Sequence, residues 1–234
     1  MAIFDMLHPD SIERLILSQL SKTEVKEFIR NSAQPYKELM AYYRCALMEV
    51  ATKFNVLNEE LSLQVDRNPI ESIKTRLKSH ESIIEKVDRK GFPLTVENIE
   101  NHIYDIAGVR VVTSFLSDIE LLADAFLRQD DIRLIERKDY IRHPKPNGYR
   151  SLHLIVETPI FLHDQKKMMK VEVQFRTIAM DGWATIEHKI RYKKDFVINE
   201  QIEHELLNCA EISADLDQRL ENIYKSTKEY VSWN

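Results

Sequence analysis

Three patterns in this chain combine residue types and spacing suited to chemistry on phosphates. In Val171-Glu172-Val173-Gln174-Phe175-Arg176, strand alternation puts Glu172, Gln174 and Arg176 on one face and the apolar residues on the other. The apolar set packs; the polar set can meet a ligand. Asp105 leads into a second apolar run, Val109 to Phe115, and supplies another acid if the two strands are neighbours. Two converging carboxylates beside a nucleotide suit Mg²⁺, which favours hard oxygens, keeps some waters and bridges to substrate phosphates. Without that convergence, Glu172 and Arg176 are simply a pair on a sheet surface.

The second pattern is the loop from Asp139 to His153. Pro144 and Pro146 restrict the backbone, Gly148 permits a turn other residues resist, and Tyr149, Arg150 and His153 follow as the apolar run Leu152 to Val156 begins. A stiff loop costs less entropy to order around a ligand. Its aromatic plane beside Arg, Lys and His suits a purine with phosphates, the ring stacking and the cations taking oxygens. On residue types alone it is equally a charged hairpin loop whose tyrosine packs on the core. The third pattern is Lys78, Ser82, Lys86 and Arg89, spaced to share one side of a helix with Arg76 about a turn earlier. Read alone, that is a solvated basic face.

These groups need elements to hold them. Residues 9 to 66 read as helical, with Pro9 near a first turn, Ser21-x-x-Glu24 as a capping box and Pro35 as a break. The stripe Tyr36, Leu39, Met40, Tyr43, Leu47 and Val50 is core or subunit interface. Asn68-Pro69 is expected to start another helix, Ser79 to cap one ending near Lys90, and Ser117 to cap one ending near Arg128. Four strands are expected, at about 109–115, 132–140, 152–158 and 169–176; helices cover 95–104, 177–191 and 199–231. The fold class is therefore α+β, a mixed, mostly antiparallel sheet flanked by helices, with long helices at both ends. The expected organisation is a helical extension over 1–68, a core over 69–195 and a C-terminal helix over 196–234, forming one domain.

Net charge is −5, unpromising for a phosphate binder until it is mapped. Between Lys74 and Lys90 six Lys/Arg face Glu81, Glu85 and Asp88; between Arg133 and His153 six face Glu136 and Asp139. These stretches carry +3 and +4, leaving −12 elsewhere. Such focused basicity favours compact polyphosphates over a long nucleic-acid track, so RNA binding is not indicated. Cys45 and Cys209 lack a partner at metal-ligand spacing. No leader or membrane-span pattern occurs, which gives a cytoplasmic expectation.

Four stretches, in order, resemble the RelA/SpoT-type alarmone synthetases: Tyr104 to Arg110, Lys138 to Ile141 with Pro144 to His153, Val171 to Thr177, and Trp183 to His188. That resemblance implies a nucleotidyltransferase-like synthetase fold and synthesis of (p)ppGpp, by moving pyrophosphate from ATP to the 3′-hydroxyl of GDP or GTP. It gives Arg76, Lys78, Lys86, Arg89, Arg110 and Lys138 to ATP, with Arg137 competing for the role of Lys138. It gives Lys145, Tyr149, His153, Gln174, Arg176, Asp181 and Ala184 to the guanine nucleotide. Asp105 and Glu172 become the Mg²⁺ ligands, with Glu172 also the base. Many members carry Asn or His where this chain has Asp181. The match is to small stand-alone members, typically homotetramers, that make alarmone without degrading it. The competing readings are a nucleotidyltransferase and a silent nucleotide- or RNA-binding regulator. Glu187-His188 and His163-Asp164 are assigned no chemistry.

Overall fold

The computed structural model describes residues 22–65, 67–191 and 199–231. The expectations for Pro9 and Ser21 lie outside them. The elements run α1 (Lys22–Val65), β1 (Ile70–Leu77), α2 (His80–Arg89), α3 (Val96–His102), β2 (Ala107–Thr113), α4 (Leu116–Leu127), β3 (Arg133–Asp139), β4 (Leu152–Phe161), β5 (Lys166–Thr177), α5 (Ile178–Arg191) and α6 (Glu200–Val231).

Five strands form one sheet in the order β1-β2-β5-β4-β3. Only the β2–β5 pair is parallel. The mixed sheet flanked by helices thus agrees with expectation, with one correction. Residues 70–77 form strand β1 rather than a helix after Asn68-Pro69, because Ile73, Thr75 and Leu77 alternate with Lys74 and Arg76 and pair in register with β2. Arg76 is therefore on a strand, not one turn up a helix.

Helix α1 lies across one face of the sheet and touches β1, β2, β4 and β5. Its expected stripe is buried, with Val50 and Phe54 inaccessible, so it is intramolecular core rather than subunit interface. Phe54 stacks on Phe126 of α4 at 4.5 Å and meets Phe175 edge-on at 5.5 Å. This packing also corrects the expected break: α1 runs unbroken through exposed Pro35. A mid-helix proline costs about 3 kcal/mol, and the buried stripe beginning at Tyr36 offsets it.

Ser79 caps α2 as expected, its hydroxyl accepting from the Ser82 amide at 3.3 Å. Ser117 does not cap α4; Phe115 is the cap residue, and the Ser117 amide and hydroxyl donate to Glu221 instead. Helix α6 buttresses α5 and the loop before β4. Arg150 donates to the Ala210 carbonyl, Trp183 to that of Leu206, and Thr177 to buried Asp217 at 2.6 Å.

Candidate active site

With helices α1 and α4 against one face, the opposite face of the sheet is left for polar groups. Strand pairing aligns Lys74, Arg110, Gln174, His153 and Lys138 in one row, a residue from each strand. The adjacent row reads Arg76, Gly108, Glu172, Ile155 and Glu136. Gly108 leaves that row without a side chain between Arg76 and Glu172, and there the sheet floor opens. A cavity of about 270 Å³ results, lined by Lys74, Arg76, Lys78, Asp105, Gly108, Val109, Arg110, Glu172 and Gln174.

Both acids line this cavity. Asp105 stands just before β2, and its Oδ2 accepts from Lys86 at 2.7 Å and Lys78 at 3.1 Å. Burial disfavours its charge, but the Lys86 hydrogen bond and the two ammonium charges outweigh this and hold it below the ordinary carboxylate range. Its Oδ1 is buried without a hydrogen-bond partner. Glu172 accepts from Gln174 at 2.8 Å through Oε2 and meets His153 Nδ1 at 3.2 Å through Oε1. Burial again opposes ionisation, yet His153 and then Gln174 lower its pKa despite the charge of Asp105.

The site continues as a closed ring of hydrogen bonds. From Glu172 it passes to His153, whose Nε2 is 2.8 Å from the Tyr149 hydroxyl. Arg176 donates to that hydroxyl at 2.8 Å and to Gln174 at 3.4 Å, and Gln174 returns to Glu172. Tyr149 is half-buried among polar groups rather than sealed in the core, with Lys145 4.8 Å and Arg176 5.0 Å from its ring centre. The Asn147 side chain steadies the loop by donating to buried Glu187, which also accepts from Arg191. Glu187 is therefore structural here. His163 and Asp164 are exposed at the far end of β4.

Of the residues picked from sequence, Arg76, Lys78, Asp105, Arg110, Glu172 and Gln174 share the cavity wall, and Lys86, His153, Tyr149 and Arg176 join it through hydrogen bonds. Lys138 lies on the same face, exposed and paired with Glu136 at 2.9 Å; that pairing raises its pKa. Arg137 points to the helix face and pairs with Glu120 of α4. Arg89 is exposed in the last turn of α2. Ala184 is buried on α5, one turn beyond Asp181. Asp181 has both oxygens engaged: Oδ2 accepts from Lys74, and Oδ1 from Arg110 and Arg176. Sequence reasoning missed Lys74, which the alternation of β1 would have placed beside Arg76.

Could this site hold a divalent cation? Among the described residues no group of three His, Cys, Asp or Glu is arranged to hold a metal. Two acids and an orphaned Oδ1 nonetheless suit a hard cation that takes its other ligands from water and substrate phosphate. The donor set fits Mg²⁺ and not a closed structural zinc site.

Residues 75–196 match the model of the region found in RelA / SpoT proteins, more than half of the chain and the whole of the cavity wall except Lys74. The chain belongs to the RelA/SpoT family. It is 43% identical over 206 residues to GTP pyrophosphokinase YwaC of Bacillus subtilis, covering 88% of this chain and 98% of that one. The fold is similar to small alarmone synthetase 2 of Bacillus subtilis, with a TM-score of 0.75 at 44% identity over 82% of this chain and 98% of that structure. It is equally similar, at 34% identity and with the same coverage, to small alarmone synthetase 1 of that organism bound to its product pppGpp. Among RelA/SpoT relatives, then, the likeness extends to nearly the full length of small synthetases. No described helix is long and apolar enough to cross a membrane.

Proposed function

We propose that this chain is a small alarmone synthetase, transferring the pyrophosphate group of ATP to the 3′-hydroxyl of GDP or GTP and releasing AMP. The observation that carries this reading is the cavity in which Asp105 and Glu172 face a wall of cations, in a fold similar to that of small alarmone synthetases. The guanosine 3′-oxygen attacks the β-phosphorus of ATP in line, the bond from that phosphorus to the α,β-bridging oxygen breaks, and AMP carries the oxygen away. Arg76 and Arg110 flank the adenine, while Lys78, Lys86, Arg89 and Lys138 meet the triphosphate, whose charge moves during transfer. Tyr149 stacks on guanine, Lys145 meets the 5′-phosphates, and Gln174, Arg176, Asp181 and Ala184 complete the guanine side. Stacking contributes about 1–3 kcal/mol and does not itself choose the base.

Glu172 takes the 3′-hydroxyl proton. Its lowered pKa keeps it ionised but makes it a weak base, so the proton leaves late, as the new P–O bond forms. Mg²⁺ held by Asp105 and Glu172 would lower the pKa of the attacking alcohol and neutralise phosphate charge. Residues 69–195 form the catalytic core, and the flanking segments 1–68 and 196–234, which contribute α1 and α6, complete one domain and its assembly surface. Exposed Ile212, Leu216, Leu220 and Ile223 share a face of α6 and suit contact with further copies in a homotetramer. A stable monomer by light scattering at micromolar concentration would refute that assembly. The substrates belong to cytoplasmic pools, which is where this enzyme would act.

Incubation with labelled ATP, GDP and Mg²⁺ tests the function. Guanosine tetraphosphate with an equal amount of AMP is the expected result. Pyrophosphate release would instead indicate nucleotidyl transfer, and an absence of product would indicate a silent binder.

A further inference from the structure

Asp181 sits at the start of α5, 7% exposed, at the junction of the two proposed subsites. A single oxygen, Oδ1, accepts from Arg110 at 3.1 Å and from Arg176 at 3.0 Å, while Lys74 holds Oδ2 at 3.1 Å. Arg110 belongs to β2 and lines the cavity; Arg176 belongs to β5 and reaches on to the Tyr149 hydroxyl at 2.8 Å. Without the carboxylate, three cations would stand together with no anion among them. Arg110 and Arg176 already disfavour one another, since the charge of Arg176 is among the influences that lower the Arg110 pKa, after burial.

We infer that Asp181 is a positioning residue that fixes both stacking platforms at once, Arg110 directly and Tyr149 through Arg176. The inference rests on the synthetase reading for which nucleotide occupies which side. It departs from a role limited to the guanine edge, because Oδ1 alone joins Arg110 of the ATP side to Arg176 of the guanine side while Lys74 occupies Oδ2. A carboxylate is needed: an amide at this position offers one acceptor oxygen and no charge, and cannot hold two guanidinium groups and an ammonium together.

The test compares Asp181→Asn and Asp181→Glu with the native protein, by titrating α,β-methylene ATP alone, titrating GDP alone, and measuring kcat and both KM values. Native turnover and native binding of the analogue check the synthetase reading independently, and thermal melts confirm that each variant is folded. For both variants the expected result is roughly tenfold weaker binding of each nucleotide with kcat within a factor of about three: Asn loses the charge and one acceptor, Glu carries its carboxylate one methylene too far, and misplaced platforms weaken binding before they touch the chemistry. Loss confined to GDP would overturn the inference and leave Asp181 a guanine reader. Tighter analogue binding would also overturn it, making the carboxylate a stand-in for phosphate. If Asp181→Asn fails to fold, the charge-retaining Asp181→Glu decides between the same outcomes.

Discussion

Nδ1 of His153 lies 3.2 Å from Oε1 of Glu172, across the antiparallel pairing of β4 and β5. Burial pushes the Glu172 pKa up, and the hydrogen bond and charge of His153 are the largest influences pulling it down. Glu172 must be ionised to accept a proton, so turnover is lost as pH falls through its pKa, which in the native protein is below the ordinary glutamate range. His153→Ala removes the two largest lowering influences and leaves the burial and the weaker Gln174 contact. The acid limb of the kcat profile should therefore move to higher pH, with kcat down by as much as about 10²-fold. An unmoved limb would show that His153 does not tune Glu172. Glu172→Gln should abolish turnover at every pH while retaining binding of α,β-methylene ATP.

Chelation should separate catalysis from folding at Asp105. Its Oδ2 is held by the Lys78 and Lys86 ammonium groups, while Oδ1 is buried and unpaired. EDTA is expected to stop turnover and leave the melting temperature unchanged, and added Mg²⁺ should restore activity. A substantial fall in melting temperature on chelation would mean that a metal supports the fold.

What was legible in the sequence divides along physical lines. The α+β class, the Asp105 and Glu172 pair, and the loop to His153 follow from alternation, loop-forming residues and motif order. Strand β1 was obscured because Asn68-Pro69 mimics a helix start, although Ile73, Thr75 and Leu77 already alternate with Lys74 and Arg76. Register carried the rest. Arg137 and Lys138 are neighbours that one-residue alternation sends to opposite faces, and only the pairing with β4 says which face is which. The engagement of Asp181 joins β1, β2, β5 and α5, elements whose juxtaposition no local pattern encodes.

That register makes a direct prediction. Lys138 is in the row with His153 and Gln174, whereas Arg137 pairs with Glu120 behind the sheet at 2.7 Å. Lys138→Ala should raise the KM for ATP several-fold, consistent with a charge-assisted contact to phosphate. Arg137→Ala should leave kinetics unchanged and cost at most about 1 kcal/mol of stability, as expected of a partly exposed ion pair. Steady-state kinetics on the two variants decide it, and the reverse pattern would place the wrong face toward ATP.

Two glycines near the guanine side should respond in opposite ways to alanine. Gly148 has φ of +86°, and a Cβ there would be 2.5 Å from the Ala210 Cβ and 3.1 Å from Leu207 Cδ1. Gly148→Ala combines left-handed strain of about 1–2 kcal/mol with a collision that pushes the loop off α6. Tyr149 follows in sequence, so the melting temperature should fall and the KM for the guanine nucleotide should rise more than that for ATP. Gly182 lies within α5 with nothing within 4 Å of the added methyl group. Gly182→Ala should instead stabilise by roughly 0.5–1 kcal/mol, because a mid-helix glycine costs backbone entropy that alanine does not. Melts and kinetics on both variants test the buttress: equal KM changes for the two nucleotides in Gly148→Ala would show that α6 supports the whole cavity rather than the loop bearing Tyr149.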